Sequence, residues 1–365
     1  MRINYFLVGD NRGGSTAALN RVKLICRGLE EHGIECRIRF LCISTSSIKY
    51  IRYAWILKIL FEILFFVSFA GKKDIFIFYG EFPFLPDLIK FKKKEAIWLV
   101  ERNEYSTYQI KEGIAQKQIQ KLKAGEVSLY KMDGLITCSS YLENYYKQFM
   151  SAQADSIVIP LIVDYALFQN KRIGNPEKMI TYCGDFGGNK DGLPTLLEAF
   201  ASLKDKYPEF KLCLIGDTAD KKTIQALNLQ IERLSLRERI ILTGRIPHDD
   251  MPVWLSKASV LVLARPANKQ AEGGIPSKLA EYLSTGRPVL VTRVGELDKY
   301  FVDEKDLFFA KPDSVTDFSI KLDYILHNYE DSRIIGMNGY RRVEEFDYKV
   351  QVLKLKRYLQ EIYNS

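Results

Sequence analysis

Three features of the sequence predict an α/β protein built from two doubly wound domains. Its 365 residues exceed the size at which one hydrophobic core stops growing. One phrase, a strand followed by a glycine loop and a helix, occurs twice, as "INYFLVGDNRGGSTAALNRVKLICRGL" and as "MITYCGDFGGNKDGLPTLLEAFASL". Most other apolar runs are short and continuous, the signature of strands covered on both faces of a parallel sheet.

In chain order, the first phrase supplies a strand, a loop holding Gly9, Gly13 and Gly14, and a helix with apolar Leu19, Val22, Leu24, Ile25 and Leu29. Further strands are expected at 37–41, 75–79, 96–100, 134–138 and 157–159. The stretch "DYALFQNKRIGNPEK" is rich in turn residues and poor in core candidates, so 165–178 reads as a linker after a first domain of residues 1–164. The second phrase places Gly184, Gly187, Gly188 and Gly192 before a helix with Leu196, Leu197, Phe200 and Leu203. Strands at 211–215, 240–243, 260–263, 289–292 and 307–309 complete a second domain of residues 179–348. A last helix within 349–365 is apolar around much of its circumference, through Val350, Val352, Leu353, Leu355, Leu359 and Ile362. It must be covered, either by packing back on the first domain or by both domains.

Composition narrows the class. The most apolar segment, residues 55–69, is interrupted by Lys58 and Glu62 and is shorter than the roughly 20 residues a bilayer span requires. The opening "MRINYFLVGD" lacks the pattern of a secretory signal, so a cytoplasmic location is expected. Six cysteines without CxxC spacing suit reduced, packed thiols. Residues 1–164 carry 23 Lys and Arg against 17 Asp and Glu, densest at Lys90, Lys92, Lys93 and Lys94. Such a face is a solvated surface, or it attracts anionic lipid headgroups at the inner side of a membrane or a polyanionic substrate. No zinc-finger, RRM or basic-zipper pattern accompanies it, so nucleic acid is not an expected partner.

The chemistry is expected around "EGGIPSKLAEYLSTGRPVL", residues 272–290. Glycines let a diphosphate approach the backbone, and the free N–H groups of a helix start favour an anion. Gly273, Gly274, Ile275, Pro276, Ser277 and Lys278 form that start, with Pro276 expected in the first turn. Glu281 follows at a distance that suits either a ribose-gripping carboxylate or an ordinary surface residue.

Four segments, in order, resemble the retaining glycosyltransferases of the GT-B fold, in the large family four that uses nucleotide sugars. "GGIPSKLAEYLSTGRPVLVTRVGE" is similar to the pattern P-x-K-L-x-E-Y-x-x-x-G-(K/R)-P-V of bacterial members, and "YCGDFGGNKDGLPTLLEAFASLKDKYPEFKLCLIGD" to the family's glycine loop and following helix. "ILTGRIPHDDMPVWLSKASVLVLAR" and "VIPLIVDYALF" resemble two further family segments. The resemblance implies two Rossmann-like domains and transfer of a sugar from a UDP- or GDP-sugar to a saccharide or lipid-linked saccharide acceptor in bacterial surface polysaccharide synthesis. It assigns Glu281 to the ribose hydroxyls and Lys190 to the donor diphosphate, alongside Gly187 and Gly188, with Gly13 and Gly14 in the first glycine loop. No Asp-x-Asp pair is present, so a mechanism without metal or other cofactor is expected.

The sequence also departs from the family. Asp185 stands where members commonly carry an arginine of the diphosphate clamp, leaving Lys278, Arg245 and Arg265 as candidates to replace it. Glu272 is offset by one from the usual glutamate spacing, which makes its donor-sugar role a hypothesis. The strand end where members hold a histidine reads "LVERNEYSTY", so Glu101, Arg102 and Glu104 stand there, as acceptor-orienting carboxylates or as a structural ion cluster. A catalytically silent binding subunit and a sugar-nucleotide epimerase are the alternative functions.

Overall fold

The structure is a computed structural model that describes residues 1–10, 17–43, 57–58, 61–63, 74–82, 85–171, 174–187 and 189–365. Gly13, Gly14, Gly188 and most of 55–69 lie outside the described residues. The chain divides into two compact units, Met1–Ile162 with Tyr348–Ser365, and Val163–Asp347.

The first unit is one parallel sheet. Its strands are β1 (Arg2–Asp10), β2 (Glu35–Ile43), β3 (Asp74–Tyr79), β4 (Ile97–Arg102), β5 (Gly134–Thr137) and β6 (Asp155–Val158), in the order β2-β1-β3-β4-β5-β6. The strands are apolar at successive positions because both faces are buried. Phe6, Phe76, Phe78, Trp98 and Val100 build the core on one face; Ile3, Tyr5, Ile75, Ile77 and Leu99 build the core on the other. The second core is closed by helix Tyr348–Asn364, which contributes Tyr348, Val352, Leu355, Leu359 and Ile362. Gly28 permits this contact, since a Cβ there would come within 2.9 Å of Val352 Cγ2.

The second unit repeats the architecture with β7 (Met179–Cys183), β8 (Lys211–Ile215), β9 (Ile240–Gly244), β10 (Val260–Leu263), β11 (Val289–Thr292) and β12 (Phe308–Ala310). Its parallel order, β12-β11-β10-β7-β8-β9, reverses direction between β7 and β10. Such a switch point opens a crevice at the carboxyl ends of the strands. Helix Leu193–Leu203 crosses beside it and buries Leu193, Leu196, Leu197, Phe200 and Leu203, the spacing that places side chains on one helical face.

Two sequence expectations are corrected here. Residues 165–178, read as a linker, open with helix Tyr165–Lys171 inside the second unit, where the Asp164 carboxylate accepts from Leu167 N at 3.1 Å and caps the first turn. Pro276 precedes its helix instead of joining the first turn, because the helix runs Lys278–Leu283 with Ser277 as N-cap.

Candidate active site

The loops at the β7–β10 switch point converge on one carboxylate. Asp191 is 7% exposed. Its Oδ2 pairs with Lys278 Nζ and accepts from the Tyr182 hydroxyl at 2.9 Å, while its Oδ1 lies 3.3 Å from Arg265 Nε. Burial alone would raise the Asp191 pKa, but the charges of Lys278 and Arg265, with hydrogen bonds from Lys278 and Tyr182, hold it below the usual carboxylate value. Two cations share one anion, so the cluster keeps a net positive charge.

Glycine is required where these loops close. Gly192 caps helix Leu193–Leu203 at φ 69°, and a Cβ there would overlap the Ala264 carbonyl at the end of β10. Gly216, at φ 139° after β8, would overlap the Gly184 carbonyl in the same way. At Gly184 a Cβ would occupy the space of Lys278 Nζ and the Tyr182 hydroxyl. At Gly192 and Gly216 the loops are drawn so close that only backbone fits between them.

Lys190 is half-buried on this loop, one residue before Asp191. Gly187 belongs to the same loop and donates its N–H to Asp185 Oδ1 at 2.6 Å, so the aspartate in the place of the family's arginine folds the glycine turn. Among the three candidates for the missing clamp cation, Arg245 is exposed after β9. Arg265 is buried as a brace, donating from Nη1 to the Gly274 carbonyl at 3.0 Å. Lys278 is held at the switch point by Asp191.

Glu272 and Gly273 sit in a short helix, Lys269–Gly273, where Glu272 pairs with Lys269 at 2.8 Å. Gly274, Ile275 and Pro276 link it to Ser277 and helix Lys278–Leu283, and the Pro276 carbonyl accepts from Leu279 N at 3.0 Å. Glu281 on that helix faces His248, with Nδ1 3.9 Å from Oε1. Burial pushes the Glu281 pKa up, and His248 and Lys278 oppose that shift.

The first unit answers a question the sequence left open. Glu101, at the end of β4, is fully buried. Its Oε1 accepts from Arg21 Nε at 2.6 Å and Asn103 Nδ2 at 3.0 Å, and its Oε2 from the Tyr5 hydroxyl at 3.1 Å. Both oxygens are engaged within the unit, which corrects the acceptor-orienting role: Glu101 is the centre of a structural ion cluster. Arg21 also donates to the Ile159 and Pro160 carbonyls at 2.6 and 3.0 Å, tying β4 to the end of β6. Glu104, two residues past the strand, is exposed.

Sequence reasoning missed Asp191, Tyr182 and the pairing of His248 with Glu281. Asp191 carried a signal, a carboxylate next to Lys190 in a glycine loop. Its partner Lys278 lies 87 positions away, and no local pattern joins them.

Comparison with known proteins agrees with this architecture. Residues 165–342 match the family model described as glycosyl transferases group 1. A sulfoquinovosyl transferase of Arabidopsis thaliana is 27% identical over 187 residues, 50% of this chain and 33% of the relative. An uncharacterized glycosyltransferase of Methanocaldococcus jannaschii is 25% identical over 230 residues, 63% of this chain and 60% of the relative. The chain thus spans between a third and three fifths of the length of these curated relatives. Among solved structures, sucrose-phosphate synthase from Thermosynechococcus elongatus superposes with a TM-score of 0.79 at 17% identity, covering 100% of this chain and 99% of the other. Anabaena HepE, solved in complex with UDP and glucose, gives a TM-score of 0.75 at 14% identity, covering 99% of this chain and 100% of the other. The chain therefore carries the GT-B fold, and its residues 165–342 are similar to the glycosyl transferases group 1 family.

Proposed function

We propose that the protein transfers a sugar from a nucleoside-diphosphate sugar held by the second unit to a saccharide or lipid-linked saccharide acceptor on the first, with retention at the anomeric carbon, in bacterial surface polysaccharide synthesis. The observation that carries this reading is the net-positive, glycine-walled cluster of Asp191, Lys278 and Arg265 at the β7–β10 switch point, with Lys190 beside it. Cleaving the donor leaves a second negative charge on the diphosphate. Fixed cations and main-chain N–H groups stabilise that charge more in the transition state than in the ground state. Lys190 and Lys278 fill this role without a metal ion, and the backbone of Ile275 and Ser277 supplies the N–H groups. Glu281 takes the ribose hydroxyls. UDP is the favoured nucleotide, since a structural neighbour was solved with UDP-glucose, and GDP is the alternative.

A thermal-shift panel of UDP, GDP and their sugars tests the pocket. A nucleotide at a hundredfold excess over Kd stabilises by about 2.7 kcal/mol. Lys190→Ala and Glu281→Ala each abolish the shift, and unchanged shifts in both variants would relocate the pocket. The raised Glu281 pKa adds a pH signature. The folded protein holds the proton more tightly than the unfolded chain does, so the stability this group contributes is present at low pH and fades as pH rises through its folded value. Ribose binding needs the carboxylate, so nucleotide affinity falls as pH drops through the same value, and Glu281→Gln flattens the profile.

The first unit also presents a surface for anionic lipid. Lys92 Nζ donates to the Lys131 carbonyl at 3.0 Å, bringing the turns Ile89–Phe91 and Leu129–Lys131 together. Phe91 is 56% and Tyr130 65% exposed there, among exposed Lys90, Lys93, Lys94 and Lys131. Aromatic rings within a basic patch suit a headgroup layer. Vesicles with anionic phosphatidylglycerol sediment the protein, neutral vesicles do not, and a Phe91→Ser/Tyr130→Ser double variant stays in the supernatant. Equal sedimentation of both forms would remove this surface from the proposal.

A further inference from the structure

Arg102 closes β4 in register with Thr137 of β5, and it continues the face of Trp98 and Val100. It is 3% exposed, and its guanidinium lies over the Tyr146 ring, 5.4 Å from the centroid. Its Nε and Nη1 are buried and have no hydrogen-bond acceptor among the described residues. Other arginines of low exposure are treated differently, each donating at least one guanidinium hydrogen bond. Arg21 holds Glu101 and two carbonyls, Arg265 holds Asp191 and the Gly274 carbonyl, and Arg287 holds the Ser256 and Gly174 carbonyls. Glu81 and Glu126, the carboxylates that act on Tyr146, are already engaged. Glu81 is taken by the N–H and hydroxyl of Thr107, and Glu126 by the hydroxyls of Ser106, Tyr108 and Tyr145.

A buried cation without an anion is costly, and the cost is recovered when an oxyanion arrives. A guanidinium offers two-toothed edges that match a carboxylate or a phosphate. The carboxyl end of an inner strand of a parallel sheet is where ligands collect. We infer that Arg102 anchors an oxyanion of the acceptor, carried either as the carboxylate of an acidic sugar or as the phosphate of a phosphorylated carrier. This rests on the reading of the first unit as the acceptor unit.

Calorimetric titration of the full chain, with UDP saturating the second unit, tests the inference using D-glucuronate, inorganic phosphate and neutral D-glucose. At least one anion binds about tenfold or more tightly than glucose, the effect expected for a charge-assisted hydrogen-bond pair. Arg102→Met removes that preference, Arg102→Lys retains part of it, and the anion that responds identifies the source. Arg102→Met alone melts no lower than the wild type, because it removes an unpaired buried charge. Anion affinity no better than that of glucose, unchanged affinity in Arg102→Met, or a clear fall in its melting temperature overturns the inference. UDP binding is scored separately. Its failure counts against the donor pocket, and the glucuronate titration is then run without nucleotide.

Discussion

At the scale of single residues, Asp191 decides how positive charge is kept in a protein interior. With its pKa held below the usual carboxylate value, it contributes stability that is present above the unfolded carboxylate range and lost as pH falls through its folded value. Asp191→Asn leaves Arg265 buried beside a neutral amide and costs about 3–5 kcal/mol at pH 7. Urea denaturation checks this. The gap between variant and wild type narrows in acid, where the wild type also loses the charge, and a gap independent of pH would assign the loss to packing. Much of this site was legible in the sequence, because glycines and a lysine clustered after a strand have few structural uses. What stayed hidden was pairing. Nothing local joins Asp191 to Lys278, or Glu101 to Arg21, and a carboxylate at a strand end looks the same in sequence whether it faces a ligand or an arginine.

At the scale of elements, Gly192 fixes the crevice by joining a helix start to the end of a neighbouring strand. Gly192→Ala adds about 1–3 kcal/mol of left-handed backbone strain and a clash with the Ala264 carbonyl that forces β10 or the loop to move. Gly113→Ala is the control, with φ at 71° and no atom within 4 Å of the added Cβ. Denaturation and UDP titration separate the two. The control loses stability only, whereas Gly192→Ala also loses nucleotide affinity, and equal behaviour would show that the close approach is dispensable. Strands were the legible elements, since continuous apolar runs bounded by glycine and charge have one good solution in a parallel sheet. Short helices were not. Tyr165–Lys171 is a seven-residue helix stabilised by Asp164 and by packing, and its few turns gave no period to read.

At the scale of the whole molecule, the first unit is discontinuous in sequence. Val163 N donates to the Phe346 carbonyl at 3.1 Å and Tyr165 N to Asp347 Oδ2 at 3.0 Å, so the chain enters and leaves the second unit at adjacent points. Deleting residues 348–365 uncovers Ile3, Ile25 and Leu29 and removes Val352, Leu355, Leu359 and Ile362 from the same core. At about 1.5–3 kcal/mol for each buried side chain, that loss rivals the entire stability of a domain. Limited proteolysis of the truncated chain therefore degrades the first unit and spares a fragment near Val163–Asp347, and survival of both units would deny the helix this role. The helix was legible as greasy, yet a sequence does not say which of two partners will cover it.

The same arrangement sets an order of events during synthesis. All of the second unit has left the ribosome before the helix at Tyr348–Asn364 emerges, so that unit can form before the first one is complete. Its companion waits, one wall missing, until the last residues here are made.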